Sequence, residues 1–155
     1  MPRGSGNLVI MYALDTNLLV YAHNTASSFH PQAKAFIEKV MNARDAEGQL
    51  SVCIPAQVLM EFLNVITRQQ LEAPLSLTDA TQLVQDYLDA GVTILYPKST
   101  QLNTLLALLK SVTTRKKIFD VALVAILKDH GISGLYTVNT KDFEEFEFLD
   151  VKNPL

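Results

Sequence analysis

The chain has few of the residues that build disulfide frameworks, membrane spans or basic nucleic-acid tails. One cysteine, Cys53, occurs among 155 residues, which excludes an internal disulfide and is typical of the reducing cytoplasm. No apolar run reaches the ~20 residues that cross a bilayer, and no signal-peptide pattern is present. The formal net charge of −3 excludes an overall basic nucleic-acid binder. We therefore expect a cytoplasmic protein without membrane contact, in which any nucleic-acid binding uses a local patch or cations.

Familiar catalytic motifs are also missing. The sequence has no Gly-rich phosphate loop, no Ser-centred nucleophile elbow and no Cys-x-x-Cys pair. Its three histidines lie far apart, without the spacing of zinc ligands. The chemistry must come from other residue types.

Hydrophobic residues make up 48% of the chain and charged residues 19%, so a packed core is expected. We assign residues 11–155 to one domain. Residues 1–10, with several Gly, Pro and Ser, are interpreted as a flexible lead-in, either native or an addition ahead of Met11.

Short apolar runs alternate with segments of helical periodicity along this domain. Strands are predicted at residues 9–14, 50–54, 92–96, 135–138 and, at a sheet edge, 146–151. Helices are predicted at residues 31–41, 55–70, 99–112 and 119–130, with another that Ser76 or Thr78 caps and Gly91 ends. This order predicts an α/β fold whose mainly parallel sheet has helices on both faces and binds ligands at the carboxyl ends of its strands.

Four acidic residues have unusual surroundings. Asp15 ends the first predicted strand, where it is either a site residue or the N-cap of a following helix. Asp142 follows the fourth strand, where an ordinary loop aspartate is the alternative. Asp120 is the only polar residue between Ile118 and Leu127, so a site role competes with a favourable place in the helix dipole.

Glu61 lies in a helix that is apolar on most of its surface. Gln57, Asn64 and Arg68 share its stripe on a helical wheel. The stripe is either a solvated face or the lining of a cleft.

Together the four carboxylates indicate more than each one alone. A pair at ~5 Å costs about 3 kcal/mol at an effective dielectric of about 20, so a cluster takes up protons or binds a cation. Oxygen ligands without His or Cys favour Mg²⁺ or Mn²⁺. Such ions can hold a phosphodiester and activate a water molecule.

Four segments, "ALDTN", "PAQVLMEFLNV", "IFDVALVAI" and "TVNTKDF", occur in the order seen in PIN-domain ribonucleases. The chain resembles this family, and within it the VapC-type toxins of toxin–antitoxin pairs. The resemblance implies a three-layer α/β/α sandwich and a Mg²⁺- or Mn²⁺-dependent endoribonuclease. It also implies a homodimer and a cognate antitoxin whose tail fills the active site.

The resemblance also implies roles for individual residues. The catalytic and metal-binding acids are Asp15, Glu61, Asp120 and Asp142, and the supporting polar residues are Thr16, Asn17, Thr137 and Asn139. Many relatives have Asp where this chain has Asn139, and here the N-x-x-D-F form supplies Asp142 instead.

Basic residues near the acids are candidates for RNA phosphate contacts, with solvated surface as the alternative. They are Arg68, Arg115, Lys116 and Lys117. Asn139 also leaves open a second function, a PIN-like module that binds RNA or a partner with little or no cleavage. A receiver-like phosphoacceptor domain fits poorly, because "LSVCIP" and "VTILYP" end without an acceptor Asp.

Overall fold

The structure is a computed structural model that describes residues 10–155. The predicted lead-in therefore lies almost wholly outside the described residues. The strands are β1 (Tyr12–Leu14), β2 (Val52–Pro55), β3 (Thr93–Leu95), β4 (Gly134–Tyr136) and β5 (Asp150–Lys152). The helices are α1 (Thr16–His23), α2 (His30–Met41), α3 (Ala56–Ile66), α4 (Leu77–Asp89), α5 (Gln101–Ser111) and α6 (Ile118–Asp129), and a 3₁₀ helix spans Thr140–Phe143.

The five strands form one sheet in the order β3-β2-β1-β4-β5, and every neighbouring pair is parallel. Connections between parallel strands are right-handed. The connections from β1 to β2 and from β2 to β3 cross the sheet in one direction, whereas those from β3 to β4 and from β4 to β5 cross it in the other. The helices of the two sets therefore lie on opposite faces of the sheet. In agreement, α1 packs against α2 and α3, whereas α5 packs against α6. The predicted three-layer α/β/α fold is confirmed, with a sheet that is parallel throughout.

The strand order creates a switch point between β1 and β4. The chain leaves β1 toward one side of the sheet and leaves β4 toward the other. In open parallel sheets, the crevice at the carboxyl ends of two such strands is where ligands bind. Asp15 follows β1 and the segment 137–142 follows β4, so both lie at this crevice.

Helix α1 is the main element that the sequence pattern missed. Its residues Leu18, Leu19, Val20 and Ala22 are buried. A helix enclosed by the core shows no clear alternation of polar and apolar faces, so periodicity does not reveal it.

Several predicted boundaries differ from the structure, and the end of α3 and the start of β5 differ most. Helix α3 ends at Ile66 rather than near residue 70, and the Thr67 hydroxyl donates a hydrogen bond to the Leu63 carbonyl at 2.8 Å. Strand β5 begins at Asp150 rather than at residue 146. The apolar residues Phe146 and Leu149 pack in the core from the connecting segment, so they are buried without being part of a strand.

No helix within residues 10–155 is long and apolar enough to cross a membrane.

Gly134 is required by the register of β1 against β4. Tyr12 lies directly opposite Gly134, and a Cβ added to this glycine would lie 2.7 Å from the Tyr12 ring. The same ring stacks on Tyr136 with 4.4 Å between centroids, and Tyr136 contacts Phe36 edge-on at 4.9 Å. The ring of Tyr12 therefore occupies the space that a side chain at residue 134 would need.

We expect Gly134→Ala to lower the free energy of unfolding by about 1–3 kcal/mol, because the new methyl group overlaps the Tyr12 ring. Chemical denaturation measures this loss. In a Tyr12→Ala background the same substitution should cost much less. An equal cost in both backgrounds would show that the close approach to Tyr12 is not the cause.

Candidate active site

Asp15 lies at the carboxyl end of β1 and is the N-cap of α1. Its Oδ1 accepts a hydrogen bond from the Thr16 backbone N–H at 2.8 Å, and its Oδ2 accepts one from the Thr137 hydroxyl at 2.7 Å. The capping and site interpretations of Asp15 are therefore compatible, since the same carboxylate caps the helix and faces the crevice.

The pKa of the Asp15 carboxyl is raised, mainly because the surrounding protein separates it from water. The hydrogen bonds from Thr137 and Thr16 act in the opposite direction, since they stabilise the ionised form. The nearby charges of Glu61 and Asp142 raise the pKa further.

Thr16 connects Asp15 to Glu61. The Thr16 hydroxyl donates a hydrogen bond to Glu61 Oε1 at 3.3 Å, while its backbone N–H binds Asp15. Glu61 is exposed on α3, so its carboxylate is open to solvent at the edge of the crevice. The predicted stripe is therefore solvated at Glu61, whose carboxylate also contacts Thr16 beside Asp15, and it stops before Arg68 because α3 ends at Ile66.

Asp120 lies in the first turn of α6 and is half-buried. Burial raises the pKa of its carboxyl, and the charges of Asp15 and Asp142 add to the increase. Lys117 and Lys116 lower the pKa, but the net shift is upward. The ionised form of Asp120 is therefore disfavoured by burial and by the charges of the other acids.

Asp142 is carried by the 3₁₀ helix that follows β4. Its backbone N–H donates to the Asn139 carbonyl at 3.1 Å, and the Asn139 N–H donates to the Thr137 hydroxyl at 3.0 Å. Thr137 is fully buried. Its hydroxyl bonds to the carboxylate of Asp15 and so connects Asp15 to the loop that contains Asp142.

Gln57 links the two helices that carry Glu61 and Asp120. Its side-chain N–H₂ donates to the Phe119 carbonyl on α6 at 2.9 Å, and the same nitrogen is 3.5 Å from Glu61 Oε1. The sequence pattern placed Gln57 on the stripe of α3, but it contained no signal for this bridge between distant segments.

The four acids come from four elements and influence one another through their charges. Within residues 10–155, no three acidic, His or Cys side chains are close enough to form a ready-made metal-binding group. The acids are therefore within electrostatic range but not in a common coordination geometry, as expected for like charges that repel. Their oxygen donors nevertheless fit Mg²⁺ or Mn²⁺, since the positive charge of either cation would offset the burial and the repulsion that together raise the pKa values of Asp15 and Asp120.

The predicted basic residues differ in their surroundings. The Lys116 side chain is largely buried, and its ammonium group pairs with Glu145 at 3.1 Å. Glu145 also accepts hydrogen bonds from Thr113 and Thr114, and these bonds lower its pKa to about 2. Lys116 therefore anchors the segment that leads into α6 to Glu145. The sequence pattern did not indicate this role, because Glu145 is distant in the chain.

Arg115 and Lys117 are exposed on the same segment. Arg68 is exposed beyond the end of α3, and Asn17 lies half-buried in the first turn of α1. Cys53 is buried in β2, and burial raises the pKa of its thiol to about 12, so it is not a nucleophile at neutral pH.

Comparisons with known proteins identify the family of this chain. The PIN domain model matches residues 12–149. Ribonuclease VapC24 of Mycobacterium tuberculosis is 26% identical over 147 residues, which cover 94% of this chain and 97% of that protein. Ribonuclease VapC48 of the same organism is 26% identical over 149 residues, covering 90% and 94%.

Solved structures share the fold. The M. tuberculosis VapC20 toxin, described as cleaving the sarcin-ricin loop, has a TM-score of 0.65 at 17% identity, covering 92% of this chain and 99% of that one. A toxin–antitoxin complex from Klebsiella pneumoniae has a TM-score of 0.62 at 19% identity, covering 93% and 98%. The chain belongs to the PIN domain family, which confirms the family predicted from its sequence motifs.

We expect Thr137→Val to destabilise the protein by about 1–3 kcal/mol. The substitution removes the hydroxyl that donates to Asp15 and accepts from Asn139, and it leaves both partners unpaired. Thr137→Ser keeps the hydroxyl and is the matched control. Chemical denaturation should show a clear loss for the valine variant alone, and equal losses would contradict the assigned role of the hydroxyl.

Proposed function

We propose that this protein is a divalent-metal-dependent endoribonuclease that hydrolyses RNA phosphodiester bonds and acts as the toxin of a toxin–antitoxin pair. Its PIN domain and its VapC ribonuclease relatives support the reaction class. The toxin role is supported by structural neighbours that are VapC toxins and toxin–antitoxin complexes.

One observation carries this proposal most directly. Asp15, Glu61, Asp120 and Asp142 come from distant parts of the chain, and their charges act on one another at the switch point of the sheet. This arrangement lowers the stability of the fold, because burial and the neighbouring negative charges oppose the ionisation of Asp15 and Asp120. A site that binds a cation accounts for this loss of stability.

The four carboxylates are the proposed ligands of Mg²⁺ or Mn²⁺. When bound, the metal supplies positive charge that stabilises the phosphodiester oxygens and lowers the pKa of a water molecule. The protein contributes the orientation of the ligands. The Thr16 backbone N–H and the Thr137 hydroxyl hold both oxygens of Asp15, while Thr16 and Gln57 contact Glu61 Oε1.

A general base is needed to remove a proton from the attacking water. Glu61 is the proposed acceptor, because its carboxylate is exposed and only one of its oxygens contacts Thr16 and Gln57. The exposed cations Arg115 and Lys117 are proposed to contact RNA phosphates beside the site.

The first test is cleavage of total cellular RNA with Mg²⁺, with Mn²⁺ and with EDTA. We expect discrete metal-dependent cuts, and Asp120→Asn should lower their rate at least about a hundredfold. The melting temperature should not fall, since the substitution removes a charge that burial and neighbouring acids disfavour. Asp86→Asn makes the same change at an exposed position on α4 and should leave cleavage unaltered.

The same test separates the nuclease from the binding-module alternative. RNA binding by a folded protein that cuts with neither metal would contradict the nuclease and favour the module. Cleavage that persists with EDTA, or in Asp120→Asn, would contradict the metal-dependent mechanism.

The basic segment gives a second test within the proposed function. In the Asp120→Asn protein, Lys117→Ala should weaken RNA binding and lower the salt slope by about one, as for a lost phosphate contact. Lys116→Ala should change the slope less, because its ammonium group already pairs with Glu145. Equal changes in a titration of affinity against KCl would contradict this assignment.

The proposed partners are RNA, a cognate antitoxin and a second copy of the chain. Met60 and Phe119 are 62% and 73% exposed near Glu61 and Asp120, and they offer an apolar border for an antitoxin segment. Leu102 and Leu106 lie one turn apart on α5 and are 64% and 49% exposed, which supports the homodimer as a prediction. The cytoplasm is the proposed location of this activity.

A further inference from the structure

A cavity of about 500 Å³ lies beside the candidate site, and we call it the side pocket. One wall comes from Tyr21 of α1, Phe29 of the following loop and Gln32 of α2. The other comes from residues just beyond β4 and β5, including Val138, Asn139 and Asn153. Its volume is typical of small-ligand sites.

The side pocket presents an aromatic surface. The rings of Tyr21 and Phe29 are 5.1 Å apart between centroids and tilted by 36°. Phe29 is 47% exposed, although a large apolar side chain would gain from burial. A flat apolar ligand would cover this ring.

The pocket also presents side-chain amides. Among the hydrogen bonds of residues 10–155, none uses the side-chain amide of Gln32 or Asn139. Asn153 Oδ1 accepts from the Leu155 backbone N–H, which leaves its N–H₂ group as a donor. No side chain lining the cavity is charged. The lining therefore suits a neutral, planar group with hydrogen-bonding edges better than it suits a phosphate.

Asn139 joins the side pocket to the acidic site. Its backbone N–H binds the Thr137 hydroxyl that holds Asp15, and its carbonyl accepts from the Asp142 N–H. A second cavity, of about 270 Å³, shares Val138 and Asn139 with the side pocket and extends to Asp142. A ligand in the side pocket is therefore adjacent to whatever occupies the acidic site.

We propose that the side pocket binds one nucleobase of the RNA, next to the phosphodiester that is cut. The base stacks on Phe29, and the Asn139 and Gln32 amides contact its edge. Single-stranded RNA is commonly recognised in this way, by aromatic stacking and edge hydrogen bonds. The inference rests on the proposed function, and it gives Asn139 a role in selecting the base rather than in holding a metal.

Cleavage of a randomised RNA pool, with sequencing of the cut ends, tests the inference on the active protein. Phe29→Ala should raise KM about tenfold. Asn139→Ala keeps both backbone hydrogen bonds and should lower the base preference at one fixed position about fivefold. Tyr96→Ala removes another exposed aromatic residue, outside the pocket, and should change neither quantity.

Two results would overturn the inference. One is an unchanged KM in Phe29→Ala together with unchanged base frequencies in Asn139→Ala. The other is an Asn139→Ala protein that needs more Mn²⁺ and has a lower kcat while its base preference is intact, because residue 139 would then serve the metal site.

A second measurement does not depend on cleavage. In the Asp120→Asn protein with EDTA, the four ribonucleoside 5′-monophosphates should shift the NMR signals of the Gln32 and Asn139 side-chain amides, whereas ribose 5-phosphate should not. Equal shifts with ribose 5-phosphate, or none with any nucleotide, would contradict a base pocket. Base-dependent shifts in the Asp120→Asn protein, together with no RNA cleavage by the unsubstituted protein with Mg²⁺ or Mn²⁺, would support the pocket and refute the nuclease, so the two failures are distinguishable.

Discussion

The hydrogen bond from the Thr137 hydroxyl to Asp15 joins the two strands at the switch point of the sheet. It ties the start of α1, which Asp15 caps, to the loop beyond β4, which carries Asp142. Because Thr137 is fully buried, its hydroxyl has no water to exchange with, and the contact is strongly favoured. The position of the acidic crevice depends on this pairing of β1 with β4.

The acids gathered there oppose the stability of the fold. Burial and like charges raise the pKa values of Asp15 and Asp120, so their ionised forms cost free energy in the folded chain at neutral pH. Contacts between elements keep the acids in place despite their repulsion. Gln57 of α3 donates a hydrogen bond to α6, and Glu145 pairs with Lys116 in the segment that leads into α6. Strain of this kind is typical of functional sites, where stability is exchanged for a prearranged group of charges.

The crevice and the side pocket are proposed to recognise different parts of the RNA. Carboxylates on one side suit a cation and the phosphodiester that it holds, whereas neutral amides and aromatic rings on the other suit a base. Asn139 lines both the side pocket and the smaller cavity that reaches Asp142, and an acid at this position would add charge to a side pocket whose other lining side chains are uncharged. The amide at this position therefore fits its surroundings without implying an inactive protein.

The sequence by itself determined the α/β class and the family, and it singled out the four acids as candidates, because apolar runs, short motifs and isolated carboxylates are local features of the chain. It did not reveal α1, whose burial removes the periodic signal, or the early end of α3. Only the tertiary structure decided that Lys116 pairs with Glu145, that Gln57 bridges two helices and that Asn139 lines a pocket. These contacts join residues distant in the chain, and their partners are set by the packing of whole elements rather than by local pattern.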